Sequence, residues 1–239
     1  LRAEVGDTIK VHFLNRGKQP YSIHPHGLFY TKDHEGAPYA GIPGKGHAIT
    51  PGQSHVYEWS VPKRAGPGPN DPSSVVWPYH SHVDTPADVN AGLVGAIVVT
   101  KKGAARADGS PSDVDLELFN LYLIFDENKE GQEEEGHLMH AINGYVFGNL
   151  PGMQMKVGQR VRWYLIGLGN EVDLHTPHWH AATVLHEGQR KDVINLLPAA
   201  VAVADMVPDA PGRWMLHCHV SDHVKAGMSA LYDVKKQDP

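Results

Sequence analysis

The segment Leu216 to Ala230, LHCHVSDHVKAGMSA, repeats in altered form the segment Tyr79 to Ala96, YHSHVDTPADVNAGLVGA. A shorter repeat precedes each of them, because residues 24–26 read HPH and residues 178–180 read HWH. Self-similarity of this kind indicates a duplicated structural unit. The chain is therefore predicted to contain two copies of one domain.

The two copies differ at two positions that matter for metal chemistry. Ser81 stands opposite Cys218. Leu93 stands opposite Met228. Because thiolate and thioether groups bind soft metal ions, only the second copy carries the sulfur ligands of such a site.

Short alternating runs of apolar and polar residues predict strands in both halves. They include Thr8 to Leu14, Ser54 to Val61, Arg160 to Ile166 and Ala230 to Val234, and turn-forming residues bound each run. No window keeps a helical period beyond about two turns, and 25 glycines with 18 prolines suit many tight turns. We expect an all-β fold of two sandwiches.

The length of 239 residues allows two domains that each bury a core. The segment Lys101 to Asp113, KKGAARADGSPSD, has the small and polar composition of a linker. The predicted domains are therefore residues 1–103 and 114–239, joined by residues 104–113. The chain starts in a turn just before a strand, so we expect an N-terminal segment, with a leading strand and any export signal, to be missing.

The charge balance excludes several partners. A formal net charge of -6 leaves no basic field for nucleic acid or an anionic membrane surface. The most apolar stretch, Val193 to Val207, is interrupted by polar residues and proline and falls short of the roughly 20 apolar residues that span a bilayer. With 17 histidines and one cysteine, the chain points to metal coordination and excludes an intrachain disulfide.

Paired histidines form the core of this metal chemistry. An HxH triplet on a strand directs both imidazoles to one face, because side chains alternate with period two. Four pairs occur: His24 with His26, His80 with His82, His178 with His180, and His217 with His219. Eight imidazoles suffice for three metal ions, one bound by two rings and two bound by three rings each.

Cys218 lies between two of these histidines, at the centre of a second constellation. His175 precedes the third pair, while His223 and Met228 follow the fourth. Two imidazoles, one thiolate and a weak axial methionine make the trigonal blue-copper site that exchanges single electrons. Because Cys218 is bonded through the backbone to His217 and His219, we predict that these three residues carry electrons into the three-metal cluster.

Four motifs now carry a family resemblance. In chain order, HPHG, WPYHSH, HTPHWH and HCHVSDHVKAGM resemble the copper-binding signatures of multicopper oxidases. The stretches YTKDHEGAPY, RAGPGPNDPSSVVWPYHSHVD and HAINGYVFGNLPGM resemble the ceruloplasmin and hephaestin type, while the length is similar to that of two-domain laccases with blue copper in the second domain. The resemblance implies two cupredoxin-like Greek-key β-sandwich domains.

The resemblance also implies a ligand set of four coppers per complete active unit: one blue type 1, one type 2 and two coupled type 3. The type 2 copper would take His24 and His178. The type 3 coppers would take His26, His80 and His219 on one ion and His82, His180 and His217 on the other. The type 1 copper would take His175, Cys218, His223 and Met228.

Further expectations come from the same resemblance. Two-domain relatives are homotrimers, with the cluster between the first domain of one subunit and the second domain of its neighbour. Glu35 lies in the turn after the first signature, where relatives place an acid that relays protons. Export to a periplasm or to the cell exterior is expected from the family.

The predicted reaction is laccase-like: phenols or aromatic amines give single electrons to the blue copper, and dioxygen is reduced to water. The alternative is a metallo-oxidase of ferrous or cuprous ions, which would need acids beside the blue copper. Candidates by position are Asp173, Glu187, Asp205 and Asp222, while the run Glu133 to Glu135 is predicted to be a solvated loop.

Two other functions remain as alternatives. A copper nitrite reductase would need the blue site in the first domain, and a storage or electron-carrier module would need no cluster. The histidines outside the motifs are expected to have structural or surface roles: His12, His34, His47, His55, His137, His140 and His186.

Overall fold

The computed structural model describes residues 1–39, 41–42, 44–128 and 134–236. It divides the chain into two compact units, residues 1–69 with 73–112 and residues 70–72 with 113–239. Strands make up nearly all of the regular structure in both units. The all-β prediction is confirmed, and the four predicted runs correspond to strands Thr8–Leu14, Ser54–Ser60, Val161–Gly167 and Ser229–Lys235.

The first unit is built from short strands with turns between them. They are β1 Arg2–Glu4, β2 Thr8–Leu14, β3 His24–Pro25, β4 Ser54–Ser60, β5 Ser74–His80 and β6 Val94–Thr100, with helix α1 at Thr85–Asn90 and 3-10 turns at Lys32–His34 and Lys63–Ala65. One sheet has the order β1-β6-β5-β3, and β2 pairs with β4. The core between them contains Tyr57, Trp59 and Ile97, each fully buried.

The second unit has two larger sheets. Its strands are β7 Leu116–Asp126, β8 Leu138–Ile142, β9 Gln154–Lys156, β10 Val161–Gly167, β11 Pro177–Trp179, β12 Val184–His186, β13 Gln189–Lys191, β14 Val201–Met206, β15 Gly212–Cys218 and β16 Ser229–Lys235, with helix α2 at Ser221–Lys225 and a 3-10 turn at Glu135–His137. The sheet orders are β13-β12-β14-β10-β7-β8 and β11-β15-β16-β9.

The core of the second unit surrounds the predicted sulfur ligands. Cys218 and Met228 are fully buried and belong to the same apolar cluster as Trp163, Trp179 and Tyr232. The ring centroids of Trp163 and Trp179 lie 5.7 Å apart, an edge-on contact that aromatic pairs favour. A close-packed surrounding holds these ligands in fixed positions.

Residues 104–113, predicted as a linker, are mostly folded onto the first unit, which extends to Ser112. The backbone N–H of Ala105 donates to Glu4 Oε1 at 2.8 Å. The N–H of Arg106 donates to the carbonyl of Ser110 at 2.7 Å, closing a turn in which Gly109 has a φ of +79°. Glycine accepts this left-handed conformation without steric cost, so the segment forms a turn.

Within the described ranges, no helix is long and apolar enough to cross a membrane.

Arg162 makes a buried ion-pair network in the second unit. Its side chain is 0% exposed, and its guanidinium contacts Asp205 at 2.7 Å and Asp113 at 3.0 Å. Removing one partner of a buried pair typically costs about 3–5 kcal/mol. We expect Arg162→Ala to destabilise the protein by about 3 kcal/mol, since both aspartates are partly exposed and regain water.

Urea denaturation of the whole chain measures this loss, and the neighbouring Arg160→Ala is the control. Arg160 pairs with Asp115 at 2.7 Å but is 52% exposed, so its loss should lower the unfolding midpoint much less than the loss of Arg162 does. Equal midpoints for the two variants would contradict a stabilising role for the buried network.

Candidate metal centre

Three predicted blue-copper ligands meet in the core of the second unit. The ligand atoms of His175, Cys218 and His223 all lie within 4.8 Å of one another, and all three side chains are buried. Cys218 Sγ is 3.6 Å from His223 Nδ1. Met228 is fully buried, and its carbonyl accepts a hydrogen bond from the Cys218 N–H at 3.0 Å. The structure thus brings His175, just before β11, to Cys218 at the end of β15 and to His223 in helix α2.

The environment of Cys218 favours the thiolate that a metal binds. Burial alone would raise the pKa of Cys218, but the adjacent His175 and His223 rings and hydrogen bonds from backbone N–H groups lower it to about 6. One of these donors is the N–H of Thr176, which lies 3.3 Å from Sγ. At neutral pH a thiolate is therefore available without a strong base.

The histidine pairs of the second unit form one cluster. His178 and His217 are register partners on β11 and β15. His180 Nε2 lies 3.1 Å from His217 Nε2, and the rings of His178 and His219 are 5.3 Å apart between centroids. The ligand atoms of His178, His180 and His217 all lie within 4.8 Å of one another, close enough to share a metal ion.

The first unit repeats this arrangement. His24 and His80 are register partners on β3 and β5. His26 Nε2 lies 3.1 Å from His80 Nε2, and the ring centroids of His24 and His82 are 5.0 Å apart. Each unit therefore presents one set of four neighbouring imidazoles, as the duplication predicts.

Backbone carbonyls set the tautomer of four of these rings. Nδ1 of His24 donates to the Glu35 carbonyl at 2.7 Å, and Nδ1 of His178 donates to the Asp192 carbonyl at 2.9 Å. His80 and His217 each donate Nδ1–H at 2.8 Å to the carbonyl of the next residue. Since a carbonyl only accepts, the proton lies on Nδ1 and the Nε2 lone pair is free for a metal ion.

Burial also keeps several of these rings neutral. It lowers the pKa of His26 to about 4, with help from the neighbouring His80 ring. Burial likewise lowers the pKa of His24, His80 and His217. Because only neutral imidazole binds a metal ion, these rings are ready to ligate at pH 7.

The first unit keeps the frame of the blue-copper position but lacks its ligands. The Ser81 N–H donates to the Leu93 carbonyl at 3.1 Å, as Cys218 does to Met228. The Ser22 N–H donates to Ser81 Oγ at 3.2 Å, and Ser81 Oγ donates to Asp88 Oδ2 at 2.5 Å. A hydroxyl and a carboxylate thus hydrogen-bond to each other where the second unit has thiolate and imidazole.

Glu35 has two kinds of contact near the first histidine set. Its backbone carbonyl orients His24, while its carboxylate accepts from Lys32 Nζ at 2.7 Å and is 13% exposed. The hydroxyl of Tyr39 also donates to it. Proton relay by Glu35 stays a prediction, and the carbonyl contact is a structural role that the sequence did not indicate.

Two residues contact the blue-copper histidines in ways that the sequence did not predict. His140, expected to be a background histidine, has its ring centroid 5.1 Å from that of His223. Asp173, considered only as a substrate acid, lies with Oδ1 3.2 Å from His175 Nε2. His140 lies on β8, far from His223 along the chain, and its one signal in the sequence was its place at the start of HAINGYVFGNLPGM, a stretch that carries the family resemblance.

The donor set fits copper. Among the described residues, His175 Nδ1 is a buried nitrogen with no hydrogen-bond partner, and it belongs to the group that surrounds Cys218. Such a nitrogen is costly to bury unless it binds a ligand. Two imidazoles, a low-pKa thiol and a buried thioether suit a blue copper, and imidazole clusters suit the other copper types.

Comparison with known proteins identifies relatives over the full length of the chain. Two family profiles described as multicopper oxidase match residues 1–104 and 118–238. Hephaestin of Homo sapiens is 42% identical over 98% of this chain and 23% of its own length. Ferroxidase HEPHL1 of Homo sapiens is 40% identical, covering 98% of this chain and 22% of its own. Ceruloplasmin of Homo sapiens is 34% identical, covering 99% and 24%.

Solved structures resemble the chain in fold. A crystal structure of a multicopper oxidase superposes with a TM-score of 0.76 at 22% identity, covering 97% of this chain and 76% of that one. The blue copper oxidase from Nitrosomonas europaea gives a TM-score of 0.74 at 23% identity, covering 99% and 75%. These likenesses confirm the cupredoxin-like Greek-key sandwiches. The chain spans about a quarter of the length of the relatives that share 34–42% identity with it.

Proposed function

This chain belongs to the multicopper oxidase family, and we propose that it is a ferroxidase-type metal-ion oxidase with dioxygen as electron acceptor. Copper supplies one-electron exchange at a blue site and reduction of dioxygen to water at a three-copper cluster. The observation that carries the choice of electron donor is the surroundings of His223, where a further imidazole and a carboxylate adjoin the ligand.

His140 is the additional imidazole. Its ring lies 5.1 Å from that of His223, centroid to centroid. Its Nδ1 donates to the Leu138 carbonyl at 3.1 Å, which leaves the Nε2 lone pair for a metal ion. Burial lowers the pKa of His140, so the ring is neutral at pH 7. A ferrous ion held there would be close to the His223 ring that contacts Cys218.

Asp222 is the carboxylate, exposed at the start of helix α2 and adjacent in sequence to His223. The other three acids considered from the sequence have partners of their own: Asp205 pairs with Arg162, Glu187 pairs with Lys191, and Asp173 is buried against His175. Glu134 and Glu135 are exposed and lead into β8, while Glu133 lies outside the described residues. Carboxylate and imidazole groups are suitable ligands for ferrous ion.

The relatives favour the same donor. One of them is named a ferroxidase and is 40% identical across 98% of this chain.

The first expectation from the sequence was oxidation of phenols and aromatic amines, as in laccases. One observation still favours it: Val172 and Leu174, each 50% exposed, lie on either side of Asp173 in the chain and would suit an apolar aromatic donor.

Electrons from the donor would leave through Cys218. The two residues bonded to it, His217 and His219, belong to the histidine set of the second unit. His217 Nδ1 also donates to the Cys218 carbonyl at 2.8 Å, which adds a hydrogen-bonded path to the covalent one. Both paths support the assignment of these three residues to electron transfer into the cluster.

We propose that a complete cluster combines one four-histidine set of the first unit with one four-histidine set of the second unit. The close contacts of His26 with His80 and of His180 with His217 support their assignment as pairs on the two type 3 coppers.

The predicted homotrimer gains no support from relatives at 34–42% identity, which are chains about four times as long. Proton relay by Glu35 and export from the cytoplasm also remain part of the proposal.

Oxygen uptake by the copper-loaded protein, with ferrous ion or 2,6-dimethoxyphenol as donor, tests the proposal. We expect faster uptake with ferrous ion. We also expect His140→Ala and Asp222→Asn each to raise KM for ferrous ion at least about tenfold, since a lost ligand contact of roughly 1.4 kcal/mol changes affinity by that factor. The rate with the phenol should stay unchanged in both variants.

His186→Ala is the control, because His186 lies in the same unit and bonds the Val203 carbonyl at 2.9 Å, in a different part of the fold from the copper ligands. Faster uptake with the phenol, together with unaltered ferrous kinetics in the His140 and Asp222 variants, would establish the laccase-like function instead.

A further inference from the structure

We propose that Asp173 is a positioning residue of the blue-copper site, which holds His175 with Nδ1 free for the metal and lowers the reduction potential of that site. The inference rests on the blue-copper site of the proposed function. It starts from one contact: Asp173 Oδ1 lies 3.2 Å from His175 Nε2, and the two side chains are 1% and 0% exposed.

The burial of this carboxylate requires an explanation. An ionised carboxylate in a protein interior is strongly unfavourable unless hydrogen bonds and a partner compensate. The N–H of Ile124 donates to Oδ1 at 2.8 Å, and the N–H of Asn170 donates to Oδ2 at 2.9 Å. Within the described part of the chain, its ion-pair contact is with the ring of His175. The fold therefore brings a negative charge to this one imidazole.

The contact determines which ring nitrogen carries the proton. A carboxylate only accepts hydrogen bonds, so Nε2 of His175 must be the donor. The lone pair is then on Nδ1, the buried nitrogen that has no other partner among the described residues. Asp173 therefore sets both the orientation and the tautomer of the His175 ring before the metal binds. Outer partners of metal-bound histidines commonly have this effect.

The site around the carboxylate leaves little room for another arrangement. Gly169 has a φ of +115°, and a Cβ at this position would collide with the Asp173 carboxylate. The ring centroid of Tyr122 lies 5.8 Å from that of His175. The pair is thus fixed by packing as well as by hydrogen bonds.

The internal repeat offers a comparison within the same chain. Counting back from the paired histidines, Tyr21 occupies the place of His175 in the first unit, and Gln19 occupies the place of Asp173. The neutral residue occurs in the copy without sulfur ligands, and the acid occurs in the copy with them. Burial of an acid at this position therefore accompanies the copper ligands and is not a general requirement of the sandwich.

The direction of the effect on the reduction potential follows from charge. A carboxylate on Nε2 makes the imidazole a stronger electron donor, and its negative charge favours the more positive, oxidised state of copper. Asp173 should therefore lower the reduction potential. His223, which contacts His140 and adjoins exposed Asp222, remains the ligand on the donor side.

Two variants of the copper-loaded protein separate charge from positioning. Asp173→Asn keeps the shape and removes the charge, so we expect a retained blue band with a higher reduction potential. Asp173→Ala also removes the support of the ring, so we expect the blue site to lose about 10–100-fold in copper affinity, the usual effect of deleting such a partner. Redox titration and competition with a chelator, both followed at the blue band, measure these changes.

Glu187→Gln is the matched control, since it removes one exposed carboxylate from the same unit and should alter neither quantity. If both Asp173 variants match this control in potential and affinity, the inference is overturned. A wild-type protein without any blue band would instead show that the proposed function has failed.

A measurement on the wild type covers the case in which the variants do not fold. In the copper(I)-loaded protein, NMR should find the ring proton of His175 on Nε2 and slow to exchange with solvent. A proton on Nδ1, or rapid exchange, would overturn the inference.

Discussion

Cys218→Ser is expected to abolish the intense visible absorption of the copper-loaded protein and to reduce oxygen uptake to the uncatalysed background. Cys218 is the single cysteine of the chain, so no other thiolate can replace it. Its sulfur is fully buried between His175 and His223, and its pKa of about 6 supplies the thiolate at neutral pH. Serine keeps the size but not the soft, low-pKa ligand that a blue site needs.

Absorption spectroscopy, copper analysis and oxygen uptake measure the outcome together. Met228→Leu is the control, because this apolar swap preserves the volume of a fully buried side chain and should cost less than about 1.5 kcal/mol. It removes only the weak axial ligand, so the blue band should persist with a changed potential. A blue band that survives in Cys218→Ser would exclude Cys218 as the copper ligand.

His180→Ala is expected to have the opposite signature: the blue band stays, while oxygen uptake falls to the background. His180 Nε2 lies 3.1 Å from His217 Nε2, in the histidine set assigned to the cluster. The ring is exposed, so its removal should leave the core around Cys218 intact. Electrons could then reach the blue copper but would find an incomplete site for dioxygen.

Stopped-flow spectroscopy separates the two halves of the reaction. Ferrous ion should still bleach the blue band in His180→Ala, and air should fail to restore it. His186→Ala, a substitution of another imidazole in the same unit, should be bleached and reoxidised as the wild type is. Normal reoxidation of His180→Ala would remove His180 from the predicted cluster.

The two signatures together test the electron path that Cys218 provides. Each variant alone could fail for a trivial reason, such as a poorly folded second unit. Loss of colour in one variant and loss of reoxidation in the other require two sites connected in series. The bonded neighbours His217 and His219 make that connection in the primary structure itself.

Much of this protein follows from residue spacing alone. An HxH triplet places two rings on one face of any strand, and the repeat of Tyr79 to Ala96 by Leu216 to Ala230 requires two similar sandwiches. Strand bounds such as Thr8–Leu14 agree with the structure because alternation and turn residues are local properties. The metal type follows from the chemistry of one cysteine among paired histidines.

The segment 104–113 shows what composition leaves undecided. Small and polar residues predicted a linker, yet Ala105 hydrogen-bonds to Glu4 across 101 positions of sequence. A Gly- and Pro-containing segment is equally suited to a tight turn that packs on a neighbouring surface. Only the three-dimensional position of Glu4 distinguishes the two outcomes.

Sequence spacing therefore indicates the duplicated sandwiches and the histidine pairs and sulfur groups that suit copper, since these depend on near neighbours in the chain. The assignment of ligands to individual coppers comes from the family resemblance and stays a prediction. The tertiary structure decided which groups act on those ligands. It brought His140 from β8 to His223 and kept Asp205 and Glu187 in other ion pairs. It also buried Asp173 against His175. Such contacts arise when sheets pack, and packing joins residues whose separation along the chain carries no signal.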